Sequence, residues 1–532
     1  MKKILVILAA CSLMVACSDK LDVAPPNSIT DEQIQELLKS GDPEVIDLII
    51  GGMANNMPRN INGASPGGGT ADARYNNILG LLAMRNLEAN DVVFGNRALT
   101  IFGGDEYRFL DFTSESVDKN SPYWNYSWNI ITAANKMLNL LPDEVVGNTA
   151  KLKEYKSRGL IVRAYAYAFL MENYQDAYLQ GGKDKLGVPL YDFYSPVQEN
   201  KARATSEETY AFIKNDLNTA ERLLTEASIG YTNEISDLDL GVVHYLQTKI
   251  ALITGDYATA IDRSTKILTN KPNFISEAAY GGKIQVVGGV DEIRPEQNAF
   301  LNNAVNPEII FGFQAGEAST NHNGWYNAFG QGNGGVNEGY ARIDNRLFDK
   351  IATTDFRKDA FMITDYGNYT YPSNATIRYI PSYTNLKFAA THGMGSNDKL
   401  QVGRVAHTYF RTSEVLLMKA EAQARSNDEA GALATLDLLL RNRTKSGSVV
   451  LTSVNYPGMI GLSTIEKIQL QTRIEMWGEA GLEFYNNKRW NIPVDRTSST
   501  NHVDKSSYTV PKMTLKIPLD EILYNDKAVQ NQ

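Results

Sequence analysis

At 532 residues, 43% hydrophobic and 21% charged, the chain has ordinary globular composition and length enough for one large core or several small ones, which sets extended disorder aside. The formal net charge is −9, and −11 once Lys2 and Lys3 leave with the leader read below; with no Lys/Arg run and no basic footprint, nucleic acid is excluded as a partner. The only cysteines, Cys11 and Cys17, precede the folded body, which is left without a thiol for a disulfide, a Cys-liganded metal or a nucleophile.

Lys2-Lys3 followed by ILVILAACSLMVA gives a charged start and an apolar run too short to span a bilayer as a helix, the pattern of a secretory signal over residues 1–16. Met14-Val15-Ala16-Cys17-Ser18-Asp19 then resembles a bacterial lipobox, in which Cys17 is acylated and becomes the mature N-terminus. At about 0.8 kcal/mol per buried methylene, two or more acyl chains anchor stably where one does not. Leu8-Ala9-Ala10-Cys11 fits the same pattern, but a cut there leaves only Ile4 to Ala10 as apolar core and strands SLMVAC on the mature end. CSDKLDVAPP reads instead as the start of a lipidated tether over residues 17–40.

From 41 to 271 the periodicity is helical, interrupted by the Gly-rich stretch INGASPGGGTADARY at 61–75, which carries Asp72 and Arg74 just before a helix opens near Tyr75. Trp124, Trp128, Ile131, Leu138 and Leu141 form one apolar stripe, and Tyr210, Ile213, Leu217, Ala220 and Leu224 another; both read as core faces. Segments 155–172, 240–254 and 258–269 read as further helices, and so do 409–425, 428–443 and 464–486 in the C-terminal region 401–532. Two of the pairs have the small residues and polar turns of tetratricopeptide repeats: Gly255-Asp256-Tyr257 with Ala260 in one, and Ser426-Asn427-Asp428 between Ala420 and Ala432 in the other. The expected fold is mainly all-α, an α-superhelix of tetratricopeptide-like helix pairs. Between 272 and 400 the composition turns to Gly, Asn, Tyr and Pro without a sustained period, so a loop-rich insertion containing short strands is expected there, and loops of that length usually carry function.

Several motifs in order then resemble the SusD/RagB family of nutrient-binding outer-membrane lipoproteins. CSDKLDVAPP is similar to its Cys-Ser-Asp opening, WNYSWNIITAANKMLNLLP to its Trp/Tyr, Ile and Ala-Asn helix, and SRGLIVRAYAYAFLMENYQDAY with GVPL to its Arg-Ala-Tyr-Tyr-Leu and Pro-Leu segment. RTSEVLLMKAEAQAR and LKIPLDEILYNDKAVQN match its Glu-Val-Leu-Leu helix and its C-terminus. A departure lies in RIEMWGEAGLEFYNNKRW, where Ala480 looks inserted and Asn486 stands in place of a usual Asp, which bears on the local helix geometry. The resemblance implies one SusD-like domain and a lipoprotein on the outer membrane facing the cell exterior. It also implies a partner, a SusC-like TonB-dependent transporter, and an oligosaccharide ligand, or a peptide as in the RagB branch.

A neutral-glycan site needs flat exposed aromatics beside planar hydrogen-bonding groups, and HNGWYNAFGQGNGGVNEGYARID supplies both. Trp325, Tyr326 and Phe329 are the expected platforms, with Asn323, Asn327 and Arg342 as polar partners and Asp72 and Arg74 as a further contribution. The alternative is that Trp325 and Phe329 anchor their own loop to the body. Gly330, Gly332 and Gly335 satisfy G-x-G-x-x-G, but without a following Lys-Ser/Thr they read as loop rather than phosphate cradle.

Catalysis finds little support in the residues. Glu475, Glu479 and Glu483 fall at i, i+4, i+8, but a glycosidase acid and base face each other across a substrate, so these read as salt-bridge partners of Arg473 and Arg489. A Ser nucleophile is equally unsupported: the G-x-S-x-G match at Gly63-Ala64-Ser65-Pro66-Gly67 lies in the Gly-rich stretch and follows no strand-like pattern, as a nucleophile elbow would. His244, His322, His392, His407 and His502 are spread along the chain with no helical zinc spacing. No enzyme activity, cofactor or metal is therefore expected; a cell-envelope glycoside hydrolase is the minor alternative.

Overall fold

A computed structural model of the chain describes residues 29–62, 78–95, 104–113, 115, 120–287, 290–293, 295–314, 341–370, 377–388 and 406–531. Its principal helices are α1 (Asp31–Leu38), α2 (Gly52–Ile61), α3 (Ile78–Leu87), α4 (Ser121–Asn139), α5 (Ala150–Tyr174) and α6 (Ser206–Glu226). They continue with α7 (Leu240–Thr254), α8 (Tyr257–Asn270), α9 (Thr412–Arg425), α10 (Glu429–Arg441), α11 (Thr464–Glu475) and α12 (Leu482–Trp490). None of the described helices is long and apolar enough to cross a membrane.

Each helix from α4 to α8 packs on the next major one, α8 packs on α9, and α9 packs on both α10 and α11. The helical array is thus continuous in space although the insertion separates α8 from α9 in sequence. Both predicted apolar stripes face inward: Ile131 and Leu141 on one, and Ile213, Leu217, Ala220 and Leu224 on the other, are buried. A Cβ on Gly159 would stand 2.9 Å from Met137 Cε and 3.0 Å from Leu138 Cδ2, so glycine sets the close approach of α5 to the end of α4.

The two tetratricopeptide-like pairs are built alike. Gly255 ends α7 at φ +80° and Asp256 then caps α8 by accepting from Thr259 N; Asn427 at φ 63° follows α9 and Asp428 caps α10 by accepting from Gly431 N. One left-handed residue followed by an aspartate cap reverses the chain in each case. Ala260, Ala420 and Ala432 are fully buried where the paired helices meet. Capping boxes Thr205/Glu208 and Ser463/Glu466 start α6 and α11.

Within the insertion, the described residues form short antiparallel ribbons, Ile284–Val287 with Val290–Ile293 and Tyr366–Thr370 with Ile377–Ile380. Strand β1 (Val92–Val93) pairs with β3 (Arg342–Ile343), and β2 (Ile309–Phe313) pairs with β4 (His407–Arg411).

Three local expectations need correction. The stretch 17–40 is not tether throughout, because α1 has a complete capping box at Thr30/Gln33 and docks through Gln35 Nε2, which donates to Asn139 O at 2.9 Å. Segment 409–425 is not helical from its start: Tyr409 and Phe410 are extended in β4, where Phe410 stacks on Tyr245 at 4.0 Å between ring centroids, and α9 begins at Thr412. Segment 464–486 is two helices. Gly478, Ala480 and Gly481 all have positive φ and break the run between Glu475 and Leu482, at the place where Ala480 departs from the family pattern. Gly481 is tightly constrained, since a Cβ there would lie 2.6 Å from Arg85 Cβ of α3.

Candidate functional site

The described residues that flank the stretches 63–77, 315–340 and 389–405 converge. Tyr409 of β4 donates its hydroxyl to Asn62 Oδ1 at 2.6 Å, joining the end of the first helical segment to this strand. Phe313, at the end of β2, is the register partner of His407, and Ala406 N donates to Leu301 O at 2.9 Å. Asn385 donates through its backbone and Nδ2 to Ala341 O, and its Oδ1 accepts from Phe388 N at 3.2 Å.

At this convergence lies a cleft enclosing about 580 Å³, solvent-open part included. Phe300, Phe388 and Tyr409 supply aromatic surface, Leu79, Leu82 and Ala83 of α3 an aliphatic wall, and Asn86, Thr408 and Glu479 the polar groups. An apolar concavity with a few convergent polar groups is the usual form of a small-ligand site.

Beneath the cleft runs a buried ionic lattice. Glu479, in the left-handed break after α11, accepts from Arg411 Nε and Nη2 at 2.7 Å each and from Lys387 Nζ at 2.5 Å. Glu475, wholly buried, accepts from Arg411 Nη1 at 2.8 Å, Arg443 Nη2 at 2.9 Å and Arg357 Nη1 at 3.0 Å. Glu308 accepts from Arg411 Nη1, Arg443 Nη2 and Ser413 Oγ, each at 2.7 Å. Asp355 takes the far side of Arg357. The members come from the insertion (Glu308, Asp355, Arg357, Lys387), from the end of β4 (Arg411), and from the ends of α10 and α11 (Arg443, Glu475), so the lattice fastens the loop-bearing face to the helical array.

Burial by itself would raise the Glu475 carboxyl, but Arg443, Arg411 and Arg357 outweigh it and hold the group well below the usual carboxylate range. Burial lowers the Lys387 ammonium to about 8 against the opposing pull of Glu479.

These contacts correct the ion-pair assignment read from sequence proximity. Arg473 pairs with Asp91 and Arg489 with Glu421, not with the three glutamates. Nor do those glutamates share one helix face: Glu475 ends α11, Glu479 sits in the break, and Glu483 opens α12, where it accepts from Asn90 N at 2.8 Å and Asp91 N at 3.0 Å. Burial and then Asp91 push Glu483 up to about 8. A carboxylate held by three guanidiniums and closed to solvent, as Glu475 is, has neither the proton affinity nor the access of a general acid.

Of the site residues expected from sequence, Trp325, Tyr326, Phe329, Asn323 and Asn327 lie outside the described residues, as do Asp72, Arg74 and the lipidation residue Cys17. Arg342 is described: it is half-buried on β3, with Val93 as register partner and a bridge to Thr384, and it is not among the residues lining the cleft. The lining residues Phe300, Phe388, Tyr409 and Asn86 escaped sequence reading. Tyr409 and Phe410 stand as adjacent aromatics before Arg411, a strand-favouring signal that the helical periodicity downstream concealed.

Among curated proteins, none matches this chain. A family model described as starch-binding and associating with the outer membrane matches residues 82–234, and one described as the SusD family matches residues 274–531. A SusD-like carbohydrate binding protein from Bacteroides vulgatus is 18% identical with a TM-score of 0.66, the match covering 90% of this chain and 96% of that one. A SusD superfamily protein from Bacteroides thetaiotaomicron gives 18% identity and a TM-score of 0.66 over 95% of this chain and 100% of the other. One from Parabacteroides distasonis gives 16% and 0.62 over 95% and 100%. At these identities the structural likeness establishes the fold, a mainly helical one.

Proposed function

The chain belongs to the SusD/RagB family, and from that premise we propose that it is a non-catalytic, surface-exposed outer-membrane lipoprotein that binds nutrient oligosaccharides and delivers them to a SusC-like TonB-dependent transporter. The observation that carries the reading is the cleft where the flanks of three long stretches meet, walled by Phe300, Phe388 and Tyr409 with Asn86, Thr408 and Glu479 among them. Sugar rings offer apolar C–H faces to such aromatics and hydroxyls to such polar groups. The related carbohydrate binding protein of the same fold supports that ligand class.

In this reading Cys17 carries the lipid, residues 272–400 form the ligand-bearing insertion, and Trp325, Tyr326, Phe329, Asn323 and Asn327, with Asp72 and Arg74, contact the glycan from the stretches whose flanks meet at the cleft, with Arg342 of β3 as a further polar partner. Purification of the acylated protein from its native outer membrane, with identification of the co-purifying barrel and retained ligand, tests the whole proposal. A TonB-dependent transporter with glycan is the expected result. Retention of peptide alone replaces the glycan with the RagB-like ligand, and release of reducing ends from bound polymer by the purified protein overturns the non-catalytic assignment. Trp325→Ala is expected to weaken glycan binding at least about tenfold with melting unchanged; a matching fall in melting temperature makes Trp325 a loop anchor.

A further inference from the structure

A second cavity, enclosing about 1660 Å³ with its solvent-open part included, lies between the end of α5, the start of α6 and the C-terminal segment 511–531, and it shares no lining residue with the cleft. Contacts among its lining residues close a circuit around it. Arg203 donates through Nη2 to Leu186 O at 2.7 Å and through Nη1 to Val529 O at 3.1 Å. Beside Leu186, Lys185 reaches Asp176 with its Nζ, and the other oxygen of that carboxylate accepts from Thr514 Oγ1 at 2.7 Å. Two residues beyond Thr514, Lys516 Nζ donates to Asn531 O at 3.1 Å, and Asn531 stands two residues after Val529.

Charge around this circuit is unbalanced. In a chain of net charge −9, Lys185, Arg203, Lys512 and Lys516 line the cavity against Asp176 and Asp184, and Asp176 is already matched by Lys185. Arg203 is 7% exposed, and its third acceptor, Gly187 O at 2.6 Å from Nε, is a neutral carbonyl like the other two. No carboxylate among the described residues pairs with it, and two of its five N–H groups are left over. Carbonyls satisfy the donors but not the charge, and a buried cation without a counter-ion draws an anion. Burial, with no carboxylate to offset it, lowers the guanidinium to about 10.

We infer that this cavity binds a carboxylated oligosaccharide, the class of a short oligouronate, with one carboxylate on Arg203 and a second at Lys516 and Lys512. The planar donors of a guanidinium match a carboxylate. The spacing also fits: Val529 and Asn531 are two residues apart, at most about 7 Å of chain, so Arg203 Nη1 and Lys516 Nζ, each 3.1 Å from its carbonyl, lie within about 15 Å of each other. Cations set apart around a cavity of this volume suit a ligand whose charge repeats from ring to ring better than a point anion. The site is separate from the cleft, and the inference does not rest on what the cleft binds.

Calorimetric titration of the folded full chain with tri-D-galacturonate tests it. The expected result is saturable one-to-one binding, weakened as salt is raised and weakened at least about tenfold in the methyl-esterified trimer, which keeps the size and loses the charge. Arg203→Gln is expected to abolish binding. Because Arg203 also holds the C-terminal segment, the double variant Lys512→Gln with Lys516→Gln locates the site independently, with affinity lowered at least about tenfold and the far-ultraviolet circular dichroism spectrum unchanged. Absence of heat with about 10 mM trimer, equal binding of the methyl ester, or undiminished affinity in the lysine double variant overturns the inference.

Discussion

The helical array and the loop-bearing insertion share one apolar core but differ in how much buried charge holds them. Helices α4 to α8 bury aliphatic and aromatic stripes against one another, with alanines and glycines setting the close approaches, so their stability scales with apolar area removed from water. The described part of the insertion has short ribbons and no repeated stripe, and is fastened by Glu308, Arg357 and Lys387 reaching into the lattice around Arg411, Arg443 and Glu475. Apolar packing tolerates small errors of position, whereas a buried charge tolerates none, because each must find its partners or pay desolvation in full. A region without periodicity can therefore still be rigidly seated.

The largest test of this contrast is Glu475→Gln, which leaves three buried guanidiniums short of a carboxylate and is expected to cost about 3–5 kcal/mol. Denaturant unfolding measures the loss. Hydrogen exchange should show protection falling first around Arg357 and Lys387, ahead of α6 and α7; uniform loss would erase the distinction between the regions.

Leu217→Ala, in the buried stripe of α6, is expected to cost about 3 kcal/mol through lost transfer energy and a cavity. Here the exchange order should invert, with α5 and α6 opening before the lattice.

Gly481→Ala probes the seam between the two regions, adding a Cβ at φ 65° against Arg85 of α3; about 1–2 kcal/mol is expected, read as a fall in melting temperature.

The smallest effect is a slope with pH. His502 donates Nε2–H to Asn90 O at 2.7 Å, and burial followed by Arg496 lowers its imidazole from 6.5 to about 3. In the unfolded chain it binds a proton below about 6.5 and in the folded chain it does not. Stability is thus expected to fall as pH drops from 6.5 toward 3 by up to one proton's slope, and His502→Gln to flatten that part of the profile.

The helices and their hairpins were legible in the sequence because their determinants are local: stripes at three- and four-residue spacing, and an aspartate cap after a left-handed Gly255 or Asn427. The lattice was not, because its logic is tertiary. Glu475 was assigned to nearby Arg473 and Arg489, whereas its partners Arg443, Arg411 and Arg357 lie 32, 64 and 118 positions away. Ala480 occupies a middle position: its departure from the family pattern marked where the helix breaks but not that Glu479 would thereby be aimed at Arg411. For the candidate site, the insertion was identifiable from composition, while Phe300, Phe388 and Tyr409 were hidden in stretches with no motif of their own.

The direct packing of α8 on α9 across the whole insertion also bears on how the chain reaches its native state. A repeat array normally zips from neighbour to neighbour, each step closing only a short loop. Here one step must close a loop as long as the insertion, with an entropy that grows as the logarithm of its length and no local reward before contact. Folding is expected to proceed in two halves, α4 to α8 and α9 to α12, whose docking is the slow event.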